Sequence, residues 1–289
     1  MQKRVKFDFE VDFSNGGGMQ GQGFRLDILG DDISDQELSE LIVKDMRLLM
    51  VGGLRILSKE IIAEPHKRPT ASGFIDLSHT IYDGLVTYRG LPAPVICDYL
   101  SREASRQRYA PGTEFQIGKI ELVANTGTYI DCPFHRYADG KDLSQVGLEA
   151  FADLDALLVR RDYRQDLAVG PEAFKDIEVS GKAVLVQTGW AERWATDAYF
   201  ETNPFLTEEA AVLLRDRGAR LVGIDSLNID DTRGGARPVH STLLEAEVLI
   251  VEHLCNLDSL PQRGFAFSAI PPKFQGVGTF PVRAFARLM

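Results

Sequence analysis

A polar, proline-containing stretch divides this sequence into two parts that must each bury a core of their own. Residues 63–73 read AEPHKRPTASG, a composition typical of a linker. At 289 residues the chain is long enough for one large domain or for two unequal ones. We therefore predict a small N-terminal module over residues 1–68, a linker over 69–73 and a larger domain over 74–289.

The predicted N-terminal module begins with strict alternation of apolar and charged residues. Apolar side chains occupy every second position of residues 5–13 (VKFDFEVDF), which predicts a half-buried strand. A flexible connection over 14–23 leads to a second strand at 24–28, and a third strand is predicted at 54–62. Between them, Ser34 and Glu37 form a capping box before a helical repeat that runs to Gly52. The order of elements is ββαβ.

The rest of the chain alternates short apolar runs with helical stretches. Residues 183–187, 221–224 and 248–251 are continuously apolar, which is typical of strands covered on both faces. A helix that opens at Thr207 leads directly into the strand at Leu221. This alternation predicts an α/β domain.

Composition narrows the range of partners. The net charge of −10 has the wrong sign for a protein that neutralises nucleic-acid phosphates. Three separated cysteines, Cys97, Cys132 and Cys255, indicate neither a disulfide framework nor a zinc knuckle. No apolar run approaches the ~20 residues that cross a bilayer. We expect a cytoplasmic protein that binds a small molecule, with neither nucleic acid nor membrane as a partner.

The densest group of reactive side chains lies in residues 125–135, which read NTGTYIDCPFH. Asp131 and His135 are four residues apart, on an irregular connection that Pro133 stiffens. A carboxylate and an imidazole presented in this way can ligate a divalent metal or act as base and orienting group. The spacing alone leaves open both a functional pair and a structural one.

This segment resembles the signature H-x-G-T-H-x-D-x-P-x-H of the metal-dependent cyclase family, which includes bacterial kynurenine formamidases and isatin hydrolases. The similarity covers about residues 74–286, with further matching segments in the family's order. These segments are FIDLSHTIYDGLVTYRGLPAP at 74–94, LVQTGW at 185–190, LVGIDSLNID at 221–230 and the stretch that contains His240 and Glu252. The resemblance implies an α/β, swivelling β/β/α-like domain with a mixed sheet, assembled as a homodimer or homotetramer.

The signature departs from the family at two positions. Family members hold one metal with the two histidines of H-x-G-T-H and the Asp, and a second with that Asp, a downstream His and a Glu. Asn125 and Tyr129 stand at the two histidine positions here, and both are poor replacements for imidazoles around Zn²⁺. The resemblance then implies one divalent metal, Zn²⁺ or Mn²⁺, on Asp131, His240 and Glu252, with His135 as the acid/base. A site without metal is the alternative.

Each alternative implies its own chemistry. A metal with His135 suits hydrolysis of an amide, lactam or ester, and kynurenine formamidase is the nearest named activity. Without metal, Tyr129 and Asn125 would stabilise an oxyanion while His135 moves protons, which suits cyclisation, dehydration or isomerisation. The third interpretation is a protein that binds a ligand without catalysis.

Four further side chains are candidates for substrate contact. Trp190, Phe134 and Tyr137 would line a pocket for an aryl group, although aromatic residues are equally good core material. Arg233 would anchor a carboxylate or lie in solvent.

Overall fold

The computed structural model describes residues 3–28, 32–46, 48–63 and 73–289. The chain separates into two compact units, residues 1–71 and 72–289. Apart from Gly73, the predicted linker lies outside the described residues.

The first unit is an antiparallel sheet with one helix. In chain order its elements are β1 (Lys3–Phe13), β2 (Gly18–Asp27), α1 (Asp35–Asp45) and β3 (Val51–Ala63). The strand order is β2-β1-β3, and the ββαβ order predicted from the sequence is confirmed. The core is formed by one face of β1 and one face of α1, with the buried residues Val5, Phe7, Phe9, Val11, Leu38 and Ile42.

Two boundaries in this unit differ from the prediction. The second strand begins at Gly18, because β2 continues its pairing with β1 through most of the glycine-rich stretch. The helix ends at Asp45 instead of running to Gly52. Gly53 pairs with Asp12 of β1, so cross-strand pairing overrides the helical spacing of the apolar residues before it.

The second unit contains thirteen strands and three α-helices within the described residues. These are β4 (Phe74–Asp76), β5 (Val95–Leu100), α2 (Arg102–Arg106), β6 (Ile117–Glu121), β7 (Tyr129–Asp131), β8 (Leu154–Arg160), β9 (Ala168–Val169), β10 (Ala183–Gln187), β11 (Phe205–Leu206), α3 (Glu208–Asp216), β12 (Leu221–Ile224), α4 (Pro238–Glu245), β13 (Leu249–Glu252), β14 (Phe265–Ser268), β15 (Thr279–Pro281) and β16 (Phe285–Leu288). Short 3-10 turns lie at Pro133–His135, Leu148–Ala150, Pro171–Ala173, Trp190–Arg193, Asp197–Phe200 and Leu257–Ser259.

Nine of these strands form one mixed sheet, in the order β15-β7-β13-β12-β10-β8-β14-β16-β4. The four central strands β8, β10, β12 and β13 are parallel, and the flanking strands are antiparallel. The predicted α/β class with a mixed sheet is confirmed. Among the described helices, none combines the length and the apolar character needed to span a membrane.

A buried cluster covers each face of this sheet. One cluster includes Ile250 of β13 together with Leu214 of α3 and Leu243 of α4. The other includes Ile130 of β7 and Val251 of β13. Since neighbouring residues of a strand point to opposite faces, Asp131 and Glu252 lie on the helix-covered face. Their side chains stand where β13 ends, an edge at which ligands bind in α/β sheets.

Candidate active site

Strand register brings the first group of site residues together. Tyr129 of β7 lies opposite Glu252 of β13, and Asp131 lies opposite Ile250. On its other edge, β7 pairs with β15, so that Thr279 lies opposite Asp131. Directly opposite side chains share a face of the sheet. The sheet therefore places Tyr129, Asp131, Glu252 and Thr279 in one small area.

His135 reaches the same area through the turn that follows β7. The chain passes from Cys132 into the 3-10 turn Pro133–His135, and this returns the imidazole toward the strand. His135 Nε2 lies 3.8 Å from Asp131 Oδ1. The His135 side chain is 34% exposed, whereas that of Asp131 is fully buried. His135 is therefore the member of the pair that faces solvent.

His240 is held by the carboxylate of Asp230. Helix α4 has no side-chain cap at Arg237; instead, the backbone N–H groups of Val239 and His240 donate to the Asp230 oxygens at 2.8 and 3.0 Å. The same carboxylate lies 2.6 Å from His240 Nδ1. A carboxylate on Nδ1 leaves Nε2 to face the site, as in many metal-ligating histidines. His240 Nε2 lies 3.7 Å from both Asp131 Oδ2 and Glu252 Oε1.

Asp131, His135 and His240 bring one donor atom each within 4.8 Å of one another. Asp131 Oδ2 is buried without a hydrogen-bond partner, and an unsatisfied buried acceptor is costly. The donors of a tetrahedral zinc site are about 3.4 Å apart, because each lies about 2.0–2.1 Å from the ion. With separations of 3.7 and 3.8 Å from the imidazole nitrogens to the Asp131 oxygens, these donors could hold a divalent cation after a small contraction. This group differs from the predicted ligand set in one member, His135 in place of Glu252.

Glu252 is satisfied by protein donors. The Tyr129 hydroxyl donates to Oε2 at 2.5 Å, and the Ile229 N–H donates to Oε1 at 2.6 Å. Burial raises the pKa of Glu252 above its usual value, opposed by the positive charge of His240 and reinforced by the negative charge of Asp131. Each carboxylate oxygen has a second lone pair. Glu252 thus keeps the capacity to bind a cation.

Negative charge dominates this centre. Burial disfavours the charged form of His240, but the carboxylates of Asp131, Asp230 and Glu252 outweigh it and raise its pKa to about 10. The centre therefore favours a positive charge next to Asp131, either a protonated imidazole or a metal ion.

Tyr129 and Asn125 are neighbours at the edge of the centre. Burial raises the pKa of the Tyr129 phenol well above its usual value, and the charges of Glu252 and Asp131 add to this effect. A hydrogen bond with the Asn125 side chain acts in the opposite direction. Tyr129 therefore stays protonated and remains a donor, and the half-buried Asn125 lies beside it.

The four predicted substrate contacts are engaged with other parts of the protein. Trp190 is buried and donates from Nε1 to the carbonyl of Tyr199. Tyr137 donates to the carbonyl of Ser241, and Arg233 pairs with Asp231. Phe134 packs against the buried cluster on the sheet face opposite helices α3 and α4. Their role in substrate binding stays a prediction.

Sequence reasoning missed two residues of this centre, Asp230 and Thr279. Asp230 ends the segment LVGIDSLNID, and a carboxylate shortly before a helix that begins with Pro238 is a signal for capping. Thr279 carries no comparable signal, because only the pairing of β15 with β7 brings it to Asp131.

The fold and this centre define an α/β enzyme with a carboxylate–imidazole site at the edge of a mixed sheet. Residues 75–231 match the profile of the family described as "Putative cyclase", which is more than half of the chain. The chain belongs to this cyclase family.

Named relatives support a hydrolase within the family. Kynurenine formamidase of Geobacillus thermodenitrificans is 27% identical over 187 residues, which cover 64% of this chain and 86% of that protein. Kynurenine formamidase of Bacillus cytotoxicus is 26% identical over 218 residues, 75% of this chain and 98% of that protein.

Solved structures share the fold. A structure described as a potential metal-dependent hydrolase with cyclase activity is 26% identical, with a TM-score of 0.60, over 74% of this chain and 96% of its own. Isatin hydrolase A from Labrenzia aggregata has a TM-score of 0.63 at 22% identity, over 74% of this chain and 92% of its own. The second likeness concerns the fold alone.

Proposed function

We propose that this chain is a hydrolase of an amide, lactam or ester bond in a small cyclic or aryl metabolite. The observation that carries the proposal is the convergence of Asp131, His135 and His240 within 4.8 Å, around an unsatisfied carboxylate oxygen. Relatives named as kynurenine formamidases support acyl hydrolysis.

One divalent ion, Zn²⁺ or Mn²⁺, would be held by Asp131, His240 and Glu252. Asp131 offers an oxygen with no other partner, and His240 offers Nε2 because Asp230 occupies Nδ1. One imidazole and two carboxylates suit either ion. When bound, such an ion supplies Lewis acidity toward an acyl oxygen and promotes the ionisation of water.

His135 is proposed as the acid/base because it is the member of the cluster nearest to solvent. Its imidazole takes a proton from the attacking water and returns it to the departing nitrogen or oxygen. Asn125 is proposed to donate a hydrogen bond to the developing oxyanion. Tyr129 holds Glu252 in position through its hydroxyl.

Metal content and hydrolysis, measured together, test the proposal. The wild type, Asp131→Asn and His135→Gln are purified without chelator and offered aryl formamides, aryl lactams and aryl esters. We expect about one metal per chain in the wild type and in His135→Gln, loss of metal in Asp131→Asn, and loss of hydrolysis in both variants. Loss of metal in His135→Gln would instead make His135 a ligand. A metal-loaded wild type that hydrolyses none of these compounds would refute the hydrolase.

A second candidate is a metal-independent cyclase, dehydratase or isomerase. It is favoured by the high pKa of His240, about 10, since a protonated imidazole already offsets the surrounding carboxylates. Turnover that persists in excess chelator would support this candidate over the hydrolase.

We also propose that the protein works in the cytoplasm on a small-molecule substrate. Its three cysteines, Cys97, Cys132 and Cys255, are free thiols, as expected in a reducing compartment. Fractionation of the source cells tests this location.

A further inference from the structure

Thr279 connects the two functional groups of the 125–135 segment. Its Oγ1 lies 2.5 Å from Asp131 Oδ1 and 2.7 Å from His135 Nδ1. The threonine is the first residue of β15, lies opposite Asp131 in the sheet and is only 3% exposed. The contact is therefore set by backbone pairing and enclosed by the protein.

The number of available protons assigns the direction of both hydrogen bonds. A hydroxyl has one proton, and Thr279 donates it to Asp131 Oδ1. The Thr279 oxygen is therefore left to accept a hydrogen bond from His135 Nδ1. A neutral imidazole has one N–H. With that proton on Nδ1, Nε2 of His135 carries the lone pair.

The same hydroxyl contacts one polar atom of Asp131 and one of His135. Asp131 uses Oδ1 for Thr279, which leaves Oδ2 free at 3.7 Å from His240 Nε2. His135 uses Nδ1 for Thr279, which leaves Nε2, 3.8 Å from Asp131 Oδ1, without this contact. A base whose lone pair is fixed in advance needs no reorganisation during the reaction.

We propose that Thr279 is a positioning residue that selects the Nδ1–H tautomer of His135 and so presents Nε2 as the proton acceptor. The inference rests on the proposed role of His135 as acid/base. The tautomer can nevertheless be measured without any substrate.

NMR of protein with ¹⁵N-labelled histidine, recorded with chelator at about pH 8.5, measures the tautomer where an ordinary imidazole is neutral. In the wild type we expect a protonated Nδ1 and an unprotonated Nε2 for His135, with its signals assigned by their loss in His135→Gln. Thr279→Val keeps the shape and removes the hydroxyl, so the proton should move toward Nε2. Thr279→Ser keeps the hydroxyl and should keep the wild-type tautomer, even if loss of the methyl group lowers stability.

Two results would overturn the inference. One is a wild-type His135 with its proton on Nε2. The other is a Thr279→Val spectrum in which the His135 tautomer is unchanged.

Kinetics separate this inference from the proposed function. With a hydrolysed substrate, Thr279→Val should lower kcat at least ~10-fold at unchanged KM, and Thr279→Ser should restore it. If the tautomer depends on Thr279 but no acyl compound is hydrolysed, the proposed hydrolase function is wrong and the positioning role of Thr279 is supported. If hydrolysis proceeds and Thr279→Val leaves the tautomer unchanged, the inference fails alone.

Discussion

The carboxylate of Asp230 contacts both the first turn of α4 and the ring of His240. It accepts two backbone N–H groups at the start of α4 and the ring of His240. Both Asp230 and His240 are buried. The start of the helix and the orientation of its histidine therefore depend on the same side chain.

We expect Asp230→Ala to lower the free energy of unfolding by about 3 kcal/mol, because it leaves buried donors and a buried imidazole without their partner. Metal affinity should fall roughly 10-fold or more through loss of the carboxylate on Nδ1. Denaturant unfolding and metal titration measure both effects. The matched control is Asp231→Asn, whose side chain is partly exposed and pairs with Arg233. A change as large in the control as in Asp230→Ala would contradict the assignment.

His253 shows how burial controls a single charge. Its Nδ1 lies 2.8 Å from the Tyr199 hydroxyl, and its Nε2 is buried without a partner. Burial, with a smaller contribution from His79, lowers the pKa of His253 to about 3. Its φ of 57° lies in the left-handed region, which asparagine tolerates.

This pKa predicts a loss of stability in acid. Between pH 6.5 and about 3 the unfolded chain binds a proton that the folded His253 cannot accept, so stability falls as the pH is lowered through this window. Relative to His253→Asn, the wild type should lose roughly 1.4 kcal/mol per pH unit there. Urea unfolding of both proteins from pH 8 to pH 4 measures the difference. If the free energies of unfolding of the two proteins change in parallel over the whole pH range, the predicted contribution of His253 is wrong.

At the scale of elements, Gly278 allows β15 to approach the turn that carries His135. A Cβ atom at this position would lie 2.2 Å from the backbone nitrogen of His135 and 2.6 Å from the Cα atom of His135. Backbone atoms cannot move aside as the end of a flexible side chain can. A glycine is therefore required at position 278 for β15 to approach the turn at His135 this closely.

We expect Gly278→Ala to lower the free energy of unfolding by about 3 kcal/mol, because the strand and the turn must separate. It should also weaken metal binding, since the shift would displace Thr279, which donates to the proposed ligand Asp131. Gly234→Ala is the control, because a Cβ atom there meets nothing within 4 Å. Thermal unfolding and metal titration give the comparison, and equal behaviour of the two variants would count against the close-approach argument.

Several strands with continuous apolar sequence were predictable, whereas β15 was not. Strands such as β10, β12 and β13 are continuous apolar runs, so local sequence indicates them. β15 has only three residues and two of them are Phe280 and Pro281, too few for a periodic signal. Its place beside β7 depends on pairing with distant residues.

At the scale of the whole molecule, the two units should be separable. Every residue of the proposed site lies in the second unit, residues 72–289. We expect a fragment of residues 73–289 to unfold cooperatively and to retain metal binding within about threefold of the full chain, as an independent domain would. Calorimetry and metal titration test this expectation. A fragment that fails to fold would show that the N-terminal module is needed for stability.

Assembly into a homodimer or homotetramer stays a prediction, and the antiparallel strand pair β5–β6 supports it. Exposed apolar side chains project from both strands, including Tyr99 and Ile120 at 74% and 62% exposure. Exposed apolar patches often mark interfaces. We expect a mass of about two or four times the 32.1 kDa chain in light scattering, and a shift toward monomer in Ile120→Glu. Leu148→Glu, at an exposed position outside this strand pair, is the control. A monomeric wild type would refute the prediction.

Local sequence by itself determined the class of the fold, and the resemblance to the cyclase family supplied most of the predicted site residues. Alternation and apolar runs are patterns among residues close in sequence, so they indicate strands and helices directly. The similarity of several motifs to those of the family pointed to Asp131, His135, His240 and Glu252. Tertiary structure alone decided how these groups are oriented. Thr279 acts on His135 across 144 residues, and the Tyr129 hydroxyl meets Glu252 across 123. Strand pairing over such separations leaves no periodic trace in sequence, and it is this pairing that brings Tyr129 opposite Glu252 and Thr279 opposite Asp131.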